Sequence, residues 1–501
     1  MFVREKKNTS GVVSIQIITK VKGKSKLIKT IGSSSDSNII TELIRQGQQF
    51  IASFGGQQSL DFSNESSLLK SVFQNISSHI EVGTEFLLGK IFDDIGFSSV
   101  KDALFRQLVL SRLTYPASKL RTSNYLDKYH DIDTPVQQIY RYMDKLHSTQ
   151  KDFVQQISYE HTKKILGGRV NVVFYDVTTI YFEVDQEDDL RRTGFSKEGK
   201  HQNPQIVLGL LVRKNGYPLA YDIFEGNKFE GHTMLPIIDS FKEKFRLEQL
   251  VIIADSGLLS NSNIDELKHG GYEFILGARI KNVRRDIQKK ILSLNLKNGD
   301  SAVVNKDDLK LIITYSDKRA KKDLLNREKG LKKIEKQIKT GRLTKASINN
   351  RGYNKYLKMD GQINIAIDYQ KYNNDAAWDG LKGYLTNTSM SKDEIIENYG
   401  HLWQIEKAFR ISKTDLKIRP IYHRLQRRIE THICISFVAY KVYKELERQL
   451  KEMKVEYSPE KAIEIAKTIY QVKANTQNGE VSHILLINDE QKKIAQLFNF
   501  G

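Results

Sequence analysis

Cysteine is almost absent: 501 residues hold one, Cys434, along with only seven prolines. One thiol makes neither an intrachain disulfide nor a multi-cysteine zinc site, which points to a reducing compartment. Long apolar runs are missing too. IVLGLLV and ICISFVAYKVY are the nearest, and both fall short of the roughly 18 residues that a membrane span needs. The opening residues, MFVREKKNTSGVV, lack the apolar stretch of a secretory signal. The expectation is a cytoplasmic protein with no membrane partner. Acidic residues are also scarce, 60 against 79 Lys and Arg, leaving a net charge of +19. Such an excess repels itself unless a polyanion uses it, with nucleic acid the first candidate and an anionic membrane surface the second. What remains is ordinary globular composition, 39% hydrophobic with a mean hydropathy of −0.47. There is no internal repeat and no low-complexity tract.

Hydrophobic periodicity divides the chain. Residues 1–35 alternate apolar and polar positions, VVSIQIITK and KLIKTIG around VKGKSK, and predict a β-hairpin. Residues 36–165 carry helical periods, among them NIITELIRQGQQFIASF, SLLKSVFQNISSHI and SVKDALFRQLVLSRL, and predict an all-helical domain. Its basic positions Arg106, Arg112, Lys119, Arg121 and Arg141 fit solvated helix faces and DNA contacts equally well. From 166 to 280 the order is β-β-β-α-β-α-β, which predicts a mixed α/β sheet with helices on its faces. Residues 281–390 interrupt this pattern. There DLKLIITYS and INIAIDYQK flank a run from Asp317 to Lys345 with twelve Lys and Arg against four Asp and Glu. That run reads first as a solvated helix. Residues 391–450 resume with two amphipathic helices, DEIIENYGHLWQIEKAFRISKTDL and RRIETHICISFVAYKVYKELERQL, and 451–501 predict a helical tail.

Three carboxylates carry the chemistry. Asp176 lies within the apolar strand VVFYDVTT, Asp255 ends VIIADSG, and Glu406 sits inside HLWQIEKAF. An Asp inside an apolar strand costs several kcal/mol to desolvate unless it is paired or metal-bound. Asp255 falls at the carboxyl end of its strand, the usual site edge of an open α/β sheet. Hard divalent cations take carboxylate oxygens, and Mg²⁺ commonly takes one or two from protein. Two such ions activate a nucleophile and steady a leaving oxygen in phosphoryl transfer. Tyr399, Glu406 and Lys413 are spaced by seven, and Arg410 follows Glu406 by four, so one helix would carry all four on nearly one face. A plain surface Glu–Arg pair is the bland alternative.

YDVTTIYFE, IADSGLLS and YGHLWQIEKAFRISKTDLKIRPIYH resemble the DDE transposases of the IS4-like insertion sequences, nearest to the subgroup typified by IS1634. The resemblance is strong over about 170–280 and 375–440 and extends to the first 165 residues only in general layout. It implies an RNase H-like core with an inserted β-containing domain (281–390) ahead of the last acidic helix, and an N-terminal helical domain (36–165) that binds the element's DNA ends. It assigns Asp176, Asp255 and Glu406 as catalytic residues and ligands of two Mg²⁺ ions, with Mn²⁺ as a substitute. The family's final helix runs Tyr, Arg, Glu, Lys. Here the series is Tyr399, Leu402, Glu406 and Lys413, so Leu402 stands where Arg is expected and Arg410 or His401 is left to replace it. The implied activity is cleavage at element ends and transfer of 3′-hydroxyl ends into target DNA. The implied partners are double-stranded DNA, both terminal inverted repeats and target, and a second copy of the chain. A nuclease that does not join, and a noncatalytic DNA-binding descendant, are the alternatives.

Other residues have two readings. Tyr399, Arg410, Lys413, Arg424, Arg427, Arg428 and His432 are candidate phosphate contacts, Arg because its forked guanidinium suits phosphate. Asp222, in YPLAYDIF, is the rival metal-ligating Asp. Asp185, Glu187, Asp188 and Asp189 read as a solvated loop. His232 either edges the site or merely opens a helix capped by Thr233. Trp403 reads as core. Thr178 and Thr179 fit strand propensity as well as contact with DNA. Ser256, in ADSGLL, lacks the pattern of a hydrolase nucleophile.

Overall fold

A computed structural model describes residues 1–501 except 22, 55–72, 166, 168–170, 197–198, 248–249, 259, 342, 350–351, 361–363, 477–478 and 501. The chain forms two compact units, Met1–His79 with Val472–His483, and Ile80–Gln471 with Ile484–Gly501.

In the first unit, β1 (Phe2–Lys7), β2 (Val13–Val21) and β3 (Lys24–Ser34) form an antiparallel sheet in that order. The expected hairpin is β2 and β3, and Phe2–Lys7 adds a strand on the free edge of β2. Helix α1 (Ser37–Phe54) covers this sheet, with Leu43 against Gly32 and Val3 against Gly47. A second correction follows at β4 (Ile76–Glu81), an extended strand inside SLLKSVFQNISSHI, where a helix was expected. Residues 67–72 of that stretch lie outside the described residues. Paired serines are weak helix formers, and at Ile76–Glu81 the strand pairing wins over the apolar spacing.

The second unit begins with helices, among them α2 (Ala103–Thr114), α3 (Lys119–His130), α4 (Val136–Lys145) and α5 (Lys151–Ile165). Asp102 and Ser118 cap α2 and α3 by accepting from the Leu104 and Arg121 amides. Then come β5 (Val172–Tyr181), β6 (Gln205–Val212), β7 (Pro218–Glu225), α6 (Met234–Phe245), β8 (Val251–Ala254), α7 (Asn261–His269) and β9 (Glu273–Ala278). Strands β5, β6 and β7 are antiparallel neighbours. β8 lies parallel to β5 on its other side, and β9 lies parallel to β8. The spatial order third, second, first, fourth, fifth, with helical crossovers into the parallel half, is the RNase H-like arrangement.

The segment 281–390 supplies β10 (Ser301–Lys306), β11 (Leu309–Tyr315), α8 (Asp317–Lys339), β12 (Leu357–Asp360), β13 (Asn364–Ile367) and β14 (Leu381–Thr386). The charge run is therefore the helix α8. Strands β12 and β13 pair only with each other, whereas β14, β11 and β10 extend the main sheet to eight strands, β10-β11-β14-β9-β8-β5-β6-β7. The inserted strands thus continue the core ladder through β14 on β9.

The stretch read as one helix over DEIIENYGHLWQIEKAFRISKTDL is two, α9 (Lys392–Gly400) and α10 (Trp403–Thr414). The ladder breaks after Gly400, a poor helix former, and short bonds from the Leu402 and Gln404 amides to the Tyr399 and His401 carbonyls bridge the gap. Helix α11 (Gln426–Glu452) follows as expected. The tail is not all helical, because β15 (Tyr470–Thr476) and β16 (Gly479–Leu485) precede its last helix. No described helix is long and apolar enough to cross a membrane.

Strand alternation places the site. Phe174, Ile253 and Ile275 bury themselves with α2, α10 and α11 on one face. Val173, Tyr175, Ile252 and Ala254 do so with α6 and α7 on the other. Burying such side chains supplies ~25 cal/mol per Å² of apolar surface. Asp176 and Asp255 follow Phe174 and Ile253 by two, so both fall on the face covered by α10.

Candidate active site

The register builds a row across four strands. Parallel pairing of Tyr175 with Ala254, carried one residue on, sets Asp176 beside Asp255. The pairing of Ala254 with Leu276, also carried on, sets Asp255 beside Gly277, which itself pairs with Tyr384. Neighbouring strands lie ~4.8 Å apart, so two carboxylates stand side by side, Asp176 midway along β5 and Asp255 one residue past the end of β8. Each is held by the following amide: Val177 N–H donates to Asp176 Oδ1 at 2.8 Å and Ser256 N–H to Asp255 Oδ1 at 2.5 Å. Asp255 is exposed and Asp176 half-buried. Behind the row, Tyr175 donates to the Thr233 hydroxyl at 2.8 Å. Thr233 therefore braces the strand next to Asp176 and makes no side-chain cap of its helix, which corrects that reading.

Helix α10 packs on β5 and β6 and carries Glu406 on its exposed side, with Ile405, Ala408, Phe409 and Ile411 buried. Glu406 shares two neighbours with Asp255. Burial raises the Tyr399 phenol pKa, and the charges of Asp255 and Glu406 add to the rise. The Lys382 ammonium is lowered by burial and by Arg319, while Asp255 and Glu406 work against that lowering. Tyr399 is 4% exposed and packs against Tyr384 with centroids 4.7 Å apart and the rings tilted by 54°. Lys382 Nζ lies 4.5 Å over the Tyr399 ring. The break after Gly400 thus separates Tyr399 and Glu406 into two helices, and the charges of Asp255 and Glu406 both still act on Tyr399.

Lys382, on β14, was not legible in the sequence. The charges of Asp255 and Glu406 both act on it, and it is brought there by a pairing between strands more than a hundred residues apart. Gly277 was not either, but its lack of a side chain matters. A Cβ there would strike the Tyr399 hydroxyl and crowd Ser256 N. Gly277→Ala is expected to displace Tyr399 and cut turnover by about 10²-fold, since small misplacements at a reacting centre are costly. Lys382→Met, a near-isostere without charge, should reduce cleavage while leaving the melting temperature at or above that of the parent. Both are checked by single-turnover cleavage beside thermal unfolding.

Other candidates fall elsewhere. Asp222 lies with Lys151 and Glu430 around a separate small pocket, and its pKa is raised chiefly by burial. Arg427 and Arg428 both bind Asp144, at 2.9 Å and as a fork of 3.0 and 2.9 Å. Arg424 and Arg410 are exposed, and Lys413 is half-buried on α10. His432 is buried, with Nε2 2.9 Å from the Ile418 carbonyl. Leu402 is buried as well, and His401 Nε2 stands 3.9 Å from Glu397. Trp403 is 52% exposed, against the expectation of a core residue. In the acidic loop Asp188 binds Arg191, and Glu187 and Asp189 lie near Arg192.

A cleft of about 760 Å³ opens from Ser256 toward α8 and is lined by Arg279, Lys281, Arg319, Arg327 and Lys382. Its carboxylates are engaged: Asp375 binds Lys281 and Lys355, and Asp379 binds Arg327. Among the described residues no three His, Cys, Asp or Glu side chains are grouped to enclose one metal ion. The adjacent carboxylates of Asp176 and Asp255 nonetheless fit a hard cation that keeps most of its water and takes one or two protein oxygens.

No curated protein sequence matches the chain. Among solved structures it is similar to a piggyBac transposase, determined by cryo-EM as a synaptic complex with hairpin DNA. The identity is 9%, with 77% of this chain and 78% of that chain covered and a TM-score of 0.39. The family described as transposase DDE domain matches residues 169–441, more than half of the chain and all three carboxylates, and the chain belongs to that family.

Proposed function

We propose that the protein is an insertion-sequence transposase that cuts the ends of its element and joins the freed 3′-hydroxyls to target DNA, using Mg²⁺ held by Asp176 and Asp255 with Glu406 facing them. The observation that carries this reading is the parallel register that, carried one residue beyond Tyr175 and Ala254, sets Asp176 beside Asp255 on the sheet face that α10 covers. Mg²⁺ bound there would lower the pKa of an attacking water and balance charge on the leaving oxygen. The chain's own groups do the rest. The backbone amides of Val177 and Ser256 fix the two carboxylates in place. Lys382 holds a positive charge beside them, where a scissile phosphate would lie. Arg410, Lys413 and Arg424 bind flanking phosphates. Arg427 and Arg428, tied to Asp144, shape the start of α11 and reach DNA only by leaving that carboxylate. The IS1634-type assignment rests on the quoted residues, and a homodimer on paired DNA ends is the assembly this chemistry calls for.

The test uses the full chain with linear DNA carrying the inverted repeats that flank its own gene, plus supercoiled target. The expected result is Mg²⁺-dependent nicking at the repeat ends followed by joined products. Nicking without joined products would reduce the protein to a nuclease. Binding without any cut would remove the catalytic reading.

A further inference from the structure

A second site lies away from the carboxylates. A cavity of about 570 Å³ opens between the turn from α2 to α3 and the segment 417–423, and no Asp or Glu lines it. Two of its cations are buried, Arg112 at 5% and Lys119 at 4% exposure. Arg112 donates to the Leu416 carbonyl at 3.4 Å. Among the described residues no carboxylate pairs with either. Buried cations without a counter-charge are rare because the desolvation penalty is not repaid. The charges also act on one another. Burial and Arg112 lower Lys119 well below an ordinary lysine, and burial with Lys119, Arg112 and Arg428 pushes His423 down to about 3.

Two further features point into the same space. Helix α3, twelve residues long, starts just after its cap Ser118, and Ser118, Lys119 and Arg121 of its first turn line the cavity, so the positive end of its dipole lies at the cavity wall. His432 lines the cavity at 6% exposure, and among the described residues its Nδ1 has no hydrogen-bond partner. Since its Nε2 faces a carbonyl, Nδ1 carries a lone pair that an arriving anion satisfies by bringing or recruiting a proton.

We infer that this cavity is a phosphate-binding site, filled either by a backbone phosphate of a bound DNA strand or by a free phosphate group. Bound phosphate neutralises Arg112 and Lys119 and restores protons to His423 and His432. The segment 417–423 reaches the cavity from α10, and Ile421 within it bridges to Phe182 beyond β5. An occupant there therefore braces the chain leaving the catalytic helix. Only the DNA source rests on the proposed function.

The full chain is titrated with inorganic phosphate and, separately, with sulfate, each against chloride at matched ionic strength. Phosphate is expected to raise the melting temperature. Sulfate, whose charge is constant from pH 6 to pH 8, should bind more tightly at pH 6, because the histidines take up protons. Lys119→Met should lose the phosphate-dependent rise while melting no lower than the parent without phosphate, since it removes a repulsive charge. For duplex DNA, a loss of about one unit in the log–log salt slope of Lys119→Met identifies a backbone phosphate as the occupant. An unchanged slope, with the phosphate response lost, identifies free phosphate. Absence of any anion-specific shift in the unmutated protein, with an unchanged DNA salt slope in Lys119→Met, would overturn the inference. So would a Lys119→Met protein that keeps the full phosphate response. Cleavage at element ends is read independently of these arms.

Discussion

Asp176→Asn and Asp255→Asn should each lower the cleavage rate by about three orders of magnitude, the scale expected when a group holding the transition-state charge is removed. Affinity for DNA should hold or rise, because a negative charge leaves a surface that meets phosphate. Shape is kept in both variants, and the amides of Val177 and Ser256 still have an oxygen to bind. Glu406→Gln should behave alike, since Glu406 shares Lys382 and Tyr399 with Asp255. Asp222→Asn is the control. It sits with Lys151 and Glu430 beyond the site and should leave the rate unchanged. Single-turnover cleavage in Mg²⁺, with binding measured separately, distinguishes these outcomes. Full activity in either Asp variant would remove the assignment.

The largest effect on stability is expected at Glu445, 1% exposed on α11. It accepts from the Tyr217 hydroxyl at 2.6 Å, from Arg448 at 2.6 Å and from Gln449 at 3.0 Å. One turn away, Lys441 is fully buried and donates to the Thr162 hydroxyl, with Nζ 4.7 Å from the Tyr217 ring. Glu445→Ala leaves buried donors and charges without an acceptor and should cost about 3–5 kcal/mol, read from the urea midpoint. Lys441→Met should be neutral or stabilising, because the methionine fills the volume without the charge. Burial pushes Lys441 down to about 7, against an ordinary 10.5, so between these values the unfolded chain holds the extra proton. Stability from this group therefore rises with pH across that window and is flat below it. Lys441→Met should remove that component of the pH dependence.

Much of this was legible because it is local. Asp176 and Asp255 stand in strands whose apolar composition announces them, and the order of strands and helices sets them side by side. The helix over the charge run and the long α11 follow from local pattern alone. What stayed hidden depends on pairings between distant segments. Lys382 reaches Asp255 only because β14 pairs with β9, and Arg427 and Arg428 meet Asp144 from across 283 and 284 residues. His432, a candidate contact, points inward because α11 is buried without interruption from Thr431 to Glu447. Trp403 is exposed because the helix break after Gly400 resets which side of α10 meets the core. A sevenfold spacing assumes an unbroken helix, and one glycine was enough to void it.

The inserted strands have a consequence for any attempt at trimming. Since β14 is zipped along β9, removing 281–390 would strip the backbone partners from one edge of the strand next to Asp255 and leave Phe274, Ile275 and Leu276 along a raw margin. Bare margins of this kind recruit other chains. A shortened protein should therefore precipitate rather than survive as a minimal catalyst, and the insertion is as much a selvedge of the central fabric as an appendage to it.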